Sequence, residues 1–404
     1  MRNLIAVSGA ALLFAAACSG ADQGEAPAGE PETDVEAEAT SGDDTPGTLV
    51  SEDGLTLTPL ATGLDFPWDM VFLPSGEMLV TERSGAIRVI RDGELLETPV
   101  SGTPEALVQG QGGYFAMALD PDFSANRTLY LAYAKSLGEG ENTTAVIKGT
   151  LSKDASALTD VQEIFAGTPR GTSYHFGGRL AFLPDGTLII TMGEGFRYMD
   201  EAQNPQNFHG SIARIHTDGA IPEDNPFADG EGGAAKLWSY GHRNVQGLVY
   251  DAGRDILWAH EHGPKGGDEL NIIKPGANYG WPEITYGVNY DGTVITDETE
   301  AEGMEQPVVK WVPSIAPSGM ALVTGDTWAD WQGDLIVGAM NGPKGKKLVR
   351  VDLDEEGAVL GTEDLLADLD LGYRDVVISP NGTLYVATAT TDGVIYEVTR
   401  SDPS

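Results

Sequence analysis

One unit recurs along this chain and limits what it can fold into: a turn built on Pro, Asp, Asn or Gly, followed at once by a short apolar strand. It reads Leu73-Pro74-Ser75-Gly76 before Met78-Leu79-Val80, Asp120-Pro121-Asp122-Phe123 before Leu129-Tyr130-Leu131, and Leu183-Pro184-Asp185-Gly186 before Leu188-Ile189-Ile190. It returns as Asp251-Ala252-Gly253-Arg254 before Ile256-Leu257-Trp258, Trp331-Gln332-Gly333 before Leu335-Ile336-Val337, and Ser379-Pro380-Asn381-Gly382 before Leu384-Tyr385-Val386, six copies in all. In such turns Pro presets φ while Gly, Asn and Asp accept left-handed backbone, so each copy can reverse the chain. No stretch keeps a helical period, and runs of Val, Ile, Thr and Tyr fill the space between turns. The expectation is an all-β fold, a six-bladed β-propeller over residues 55–400 in one domain, with four-stranded blades and long loops. Leu55 to Leu60 should pair near Val394 to Val398 and close the ring. A pair of β-sandwich domains is the alternative, which six copies of one unit disfavour.

The N-terminal part reads differently. Arg2, the apolar run from Leu4 to Ala17 and the small residues before Cys18 form an export signal too short to remain as a membrane span. Cys18, the only cysteine, follows Ala15-Ala16-Ala17 as in a bacterial lipobox, so residues 1–18 are expected to be a lipoprotein-type signal peptide. An ordinary signal peptide with an incidental cysteine is the other reading. Under the lipobox reading, Ser19 fits sorting to the outer membrane, and the protein would face the periplasm or exterior, touching membrane only through a lipid anchor. Residues 19–54 are acidic, small and almost without large apolar side chains, the composition of a disordered linker. With no second cysteine the mature fold has no disulfide and depends on a large core. The 24 Lys+Arg against 62 Asp+Glu give a net charge of -38, which repels phosphate backbones and argues against nucleic acid as a partner.

Scarce cations and glycine-rich loops mark where chemistry could sit. Gly110-Gln111-Gly112-Gly113 is either a turn between blades or a loop baring its amides. In Ser173-Tyr174-His175-Phe176-Gly177-Gly178-Arg179-Leu180 the glycines open access to His175, whose imidazole titrates near neutrality and suits a general base. Gly241-His242-Arg243-Asn244 is a dense polar cluster. Gly263-Pro264-Lys265-Gly266-Gly267 turns too often for a strand, freeing carbonyls, and Asp268, Glu269 and Asn271 add the hard oxygens calcium takes. Lys344, Lys346 and Lys347, with Arg374 further on, serve either an anionic ligand on the axis or solvated hairpins. His260 and His262 share one strand face, but no third ligand at zinc spacing accompanies them, so His260 reads as structural.

Taken together, SYHFGGRLAFLPDG, GHRNVQGL, EHGPKGGDEL followed by NYGWP, and YRDVVISPNGTLYV resemble the soluble PQQ-dependent aldose/glucose dehydrogenases, in that family's order and across residues 55 to 400. The family is a six-bladed propeller, in agreement with the repeats. The resemblance implies oxidation of an aldose at C1 to the aldonolactone, with hydride passing to C5 of pyrroloquinoline quinone (PQQ). By the same likeness His175 matches the general base, and Arg243 and Asn244 the pair contacting the quinone, with Arg243 polarising the carbonyl that receives the hydride. Gly263 and Pro264 match residues whose carbonyls hold a Ca2+ that chelates the cofactor, and Glu269 and Tyr279 match ligands of a second, structural Ca2+. Gln111, Lys344 and Arg374 match further cofactor-binding residues. No CxxCH haem motif is present, so electrons would leave to an external acceptor such as a cytochrome, quinone or dye.

Three positions depart from the pattern. Tyr174 stands where the glucose enzymes carry an Asp beside the base, Gly372 where the first of two cofactor arginines would be, and Gly195-Phe196-Arg197 differs from their substrate loop. These departures point to broad aldose specificity. Two other readings are a calcium-dependent lactonase propeller, which needs Asn, Asp and Glu converging on the axis, and a non-catalytic sugar-binding propeller.

Overall fold

The computed structural model describes residues 46–341 and 345–400. The expected signal peptide, Cys18, the linker up to residue 45 and Lys344 lie outside the described residues.

Each of the six apolar strands singled out by the recurring turn is the second strand of a separate antiparallel sheet: Met78–Glu82, Thr128–Gly138, Leu188–Met192, Ile256–Glu261, Leu335–Ala339 and Leu384–Thr388. The turn before each ends in left-handed backbone, supplied by Gly76, Arg127, Gly186, Asp255, Gly333 and Gly382. In Gly76, Gly186 and Gly382 the same bond recurs, the glycine N–H donating to the carbonyl three residues back, at 2.9, 3.0 and 2.8 Å. Glycine pays no Cβ penalty at such a φ, which is why the motif could be read without tertiary information.

The first strands of the six sheets, Pro67–Phe72, Tyr114–Leu119, Leu180–Phe182, Val245–Asp251, Pro317–Leu322 and Tyr373–Ile378, contact one another in succession, and the last meets the first. This is a closed six-bladed propeller. Leu55–Leu64 closes it by pairing antiparallel with Gly393–Arg400, Leu57 opposite Val398 and Ala61 opposite Ile395, as expected. The fold starts before the expected boundary at Leu55: Leu49–Val50 adds a fifth strand to that sheet, and Asp53 accepts the Leu366 N–H.

The core is six apolar seams, one between each pair of neighbouring blades. One joins Leu79 and Val89 to Leu131 and Ile147, and another joins Trp258 and Leu270 to Val337 and Val349. A Leu or Val buried in such a seam contributes about 1.5–3 kcal/mol, so closure of the ring is driven by burial between sheets. Because strands alternate direction, the turn between second and third strands lies at the same end as the chain entering the first strand. The recurring turns occupy the opposite end, leaving this face for longer loops.

Candidate active site

On that face a cavity of about 490 Å3 opens over the propeller axis, within the size range usual for small-molecule sites. Its walls come from loops of all six blades, the third through Phe176 and Gly177, and include Gln111, Asn244, Gly263, Pro264 and Arg374. Five of the residues singled out in the sequence therefore meet in one place, although as many as 263 positions separate Gln111 from Arg374.

His175 and Arg243 stand directly behind this wall. His175 adopts left-handed backbone at φ 49, and its N–H donates to the Gln111 side chain at 2.9 Å. Gly178 allows the approach, because a Cβ there would lie 2.7 Å from the Phe115 ring. The His175 Nδ1 lies 2.6 Å from Glu194 Oε2, with both side chains only 1% exposed. Burial alone would raise the Glu194 pKa, but His175, Arg243 and the Phe196 amide outweigh it and hold the carboxyl below its ordinary value. The lowered Glu194 pKa favours the carboxylate, which suits a hydrogen bond accepted from Nδ1–H, the tautomer in which Nε2 is the basic nitrogen. Phe196 packs edge-on against the imidazole at 5.3 Å and lies 5.9 Å from Tyr174, whose ring is exposed.

Arg243 is aimed by Glu261, which accepts the Arg243 N–H and also holds His242 Nδ1 at 2.8 Å. Its guanidinium donates to the Gly263 carbonyl at 2.8 Å and reaches the Tyr290 hydroxyl at 3.4 Å. Asn244 Oδ1 accepts the Gly177 N–H at 3.1 Å, tying the Arg243 loop to the His175 loop.

The loop after His262 is only partly what its residues suggested. Asp268, read as an oxygen donor, turns inward: one oxygen accepts the Gly263 N–H and the other accepts from Ser314 and the Ile315 and Ala316 amides. Burial of a carboxylate demands such partners, and this one folds the loop. Gly263 and Pro264 line the cavity, and their carbonyls already accept Arg243 and Gly266 N–H groups, each with a second lone pair to offer. Glu269 is pushed up to about 8, first by burial, then by Glu261 and Asp268, so a nearby cation would relieve it. The Tyr279 hydroxyl is committed to Ile272 O at 2.6 Å and the Lys274 N–H at 2.8 Å, which leaves only its carbonyl for a metal. Among the described residues no three His, Cys, Asp or Glu side chains converge as a metal set, so carbonyls and Glu269 are the donors that fit. They are hard oxygens, which suit calcium. His260 is wholly buried under Gly247 with a pKa driven far down by desolvation, and His262 Nε2 binds the Pro317 carbonyl at 2.6 Å, so the two do not form a zinc pair.

The cations divide into two groups. Lys346 and Lys347 pair with Asp370 at 3.2 Å and Asp364 at 2.7 Å, which makes them hairpin ion pairs. Arg374 is buried in the cavity wall, stacked over Trp68 at 4.2 Å, with Gln246 Oε1 and Met340 Sδ as hydrogen-bond partners. Burial and then Arg179 push its pKa down to about 9, the mark of a positive charge short of compensation. Arg179 stacks on Trp68 as well and bridges Asp69 at 2.6 Å and Asp375 at 3.0 Å. Sequence reasoning missed Glu194, Trp68, Tyr290 and the Asp69-Arg179-Asp375 bridge. Only the polar Gly193-Glu194 step beside a blade strand offered a signal, and nothing local marked the others.

A closed propeller with an imidazole and buried guanidinium groups around an axial cleft sets the class of fold and site, and the family places it among the oxidoreductases. The chain belongs to the glucose/sorbosone dehydrogenase family, whose family model matches residues 64–397, and it is a sugar dehydrogenase. It is 41% identical over 342 residues to aldose sugar dehydrogenase YliI of Escherichia coli strain K12, covering 83% of this chain and 90% of that one. The crystal structure of the soluble E. coli aldose sugar dehydrogenase in its apo form superposes with a TM-score of 0.81 at 38% identity, covering 86% of this chain and 99% of that one. The PQQ-bound aldose sugar dehydrogenase of Streptomyces coelicolor gives 0.71 at 28% identity, covering 85% and 97%.

Proposed function

We propose that the protein oxidises aldose sugars at C1 to the aldonolactone with PQQ and Ca2+, and passes the electrons to an external acceptor. The observation that carries this reading is the juxtaposition of the Glu194-paired His175 with a cleft lined by Arg374, Gly263 and Pro264. When bound, PQQ supplies the two-electron acceptor and calcium the Lewis acid beside it. The chain's own groups do the rest. His175 Nε2 takes the proton of the anomeric hydroxyl, and Glu194 stabilises the imidazolium that results. Arg243, held by Gly263 and Glu261, places a fixed positive charge where negative charge develops, at no cost in reorganisation. Arg374 neutralises a carboxylate of the tricarboxylate cofactor, and Asn244, Gln111 and Lys344 complete the seat.

The PQQ-bound relative supports the cofactor assignment, and the raised Glu269 with the Gly263 and Pro264 carbonyls supports calcium. The lactonase reading needs axial carboxylates available to a metal, whereas Asp69 and Asp375 are spent on Arg179. Export as a lipoprotein to the periplasm or outer membrane rests on residues 1–18. The test is reconstitution of the purified, chelator-treated protein with PQQ and Ca2+, followed by dye reduction with a panel of aldoses. Sugar-dependent reduction that needs both additions supports the reading. Lactone hydrolysis, or sugar binding without turnover, overturns it.

A further inference from the structure

The expected pair of cofactor arginines is incomplete, because Gly372 stands at the first position. The backbone there cannot take a side chain: a Cβ on Gly372 would lie 2.4 Å from the Met340 carbonyl oxygen. A second guanidinium nevertheless lines the same cavity from the other side of the ring's closure. Arg83 sits in the turn between the second and third strands of the first blade, and its guanidinium lies over the Phe66 ring at 4.1 Å. Arg374 lies over the Trp68 ring at 4.2 Å. Phe66 and Trp68 are two residues apart and both line the cavity, so one short segment, Phe66-Pro67-Trp68, carries two rings, Phe66 seating Arg83 and Trp68 seating Arg374 beside the ion-paired Arg179. The segment is fixed from both sides: the Arg83 N–H donates to Phe66 O at 3.0 Å, and the Phe66 N–H to Thr390 O at 3.1 Å. Arg83 is close enough to Arg374 for the two charges to repel. Two like charges held toward one cavity on a rigid aromatic support are stabilised together by an anion carrying more than one negative group.

We propose that Arg83 is a cofactor-binding residue that pairs with a carboxylate of PQQ and takes the part that Gly372 cannot, an inference that rests on the PQQ reading above. An arginine from the first blade would then do what the family pattern assigns to the last. The clamp draws on the two blades that meet where the ring closes, so its geometry depends on closure.

The test is equilibrium titration of the metal-loaded apoprotein with PQQ, read by quenching of tryptophan fluorescence, for wild type, Arg83→Gln, Arg83→Lys and Arg374→Gln. A charge-assisted pair of this kind should make Arg83→Gln bind PQQ about 10- to 100-fold more weakly, with Arg83→Lys recovering part of the loss. The trimethyl ester of PQQ, which lacks the charges, should bind wild type and Arg83→Gln equally, an outcome that a purely structural role for Arg83 would not give. If Arg83→Gln binds PQQ as wild type does while Arg374→Gln loses it, Arg83 is no cofactor ligand and the cofactor reading survives. If wild type itself fails to bind PQQ, both fall.

Discussion

Glu194 Oε2 lies 2.6 Å from His175 Nδ1, in a contact almost sealed from solvent. The carboxylate also accepts the Phe196 N–H, so one group fixes the tautomer of the base and the loop that covers it. Glu194→Gln keeps the shape but removes the charge that stabilises the imidazolium. It should lower kcat at least about 10-fold, with KM little changed and the acidic limb of the pH profile displaced to lower pH, whereas His175→Ala should cost about 10²–10⁴-fold. Steady-state kinetics across pH on both variants check this, and an unaltered kcat in Glu194→Gln would mean that the pair is only structural.

Arg179 is the keystone of the axis, since it holds the buried Asp69 and Asp375 together. Burial and then Asp375 push Asp69 up to about 7 even with that partner in place. Arg179→Met should therefore leave two uncompensated carboxyls and cost about 3–5 kcal/mol, measured by urea unfolding. The triple replacement with Asp69→Asn and Asp375→Asn should recover part of the loss.

Restoring the arginine that the family pattern expects at Gly372 should not help. The Met340 carbonyl occupies the space a Cβ would need, so Gly372→Arg should destabilise the fold by about 1–3 kcal/mol and weaken PQQ binding through the displaced Met340. Thermal unfolding and PQQ titration of that variant check both halves.

His209 gives a pH dependence of definite sign. It stacks on Tyr198 at 4.7 Å, and burial, followed by Arg170, lowers its pKa from 6.5 to about 4. Between those values the unfolded chain binds a proton that the folded chain refuses, so stability falls as pH drops through the window. His209→Gln should flatten the fall in Tm between pH 6.5 and 4 relative to wild type. An identical slope in the two proteins would contradict the assignment.

The fold could be read from sequence because its signal is local: each blade announces its second strand with a turn whose φ demands Gly or another residue tolerant of left-handed backbone. His175, Gln111, Asn244, Gly263, Pro264 and Arg374 could be found because they lie in glycine-rich loops or are rare cations in an acidic chain. Glu194 is one of 62 acidic residues, and Trp68 and Tyr290 are ordinary aromatics until ring closure brings them beside Arg374 and Arg243. Asp268 misled for the opposite reason. Its position in a turn-rich loop suggested a cation ligand, but only the fold shows that the Ile315 and Ala316 amides claim it.

The most direct test mixes the PQQ- and calcium-loaded protein with an aldose in a stopped-flow cell and follows the absorbance of the bound cofactor in one turnover. Wild type should reduce it at a rate that saturates with sugar, and His175→Ala should bind the cofactor as tightly yet reduce it at least about 10²-fold more slowly. Equal rates in the two proteins would contradict the account.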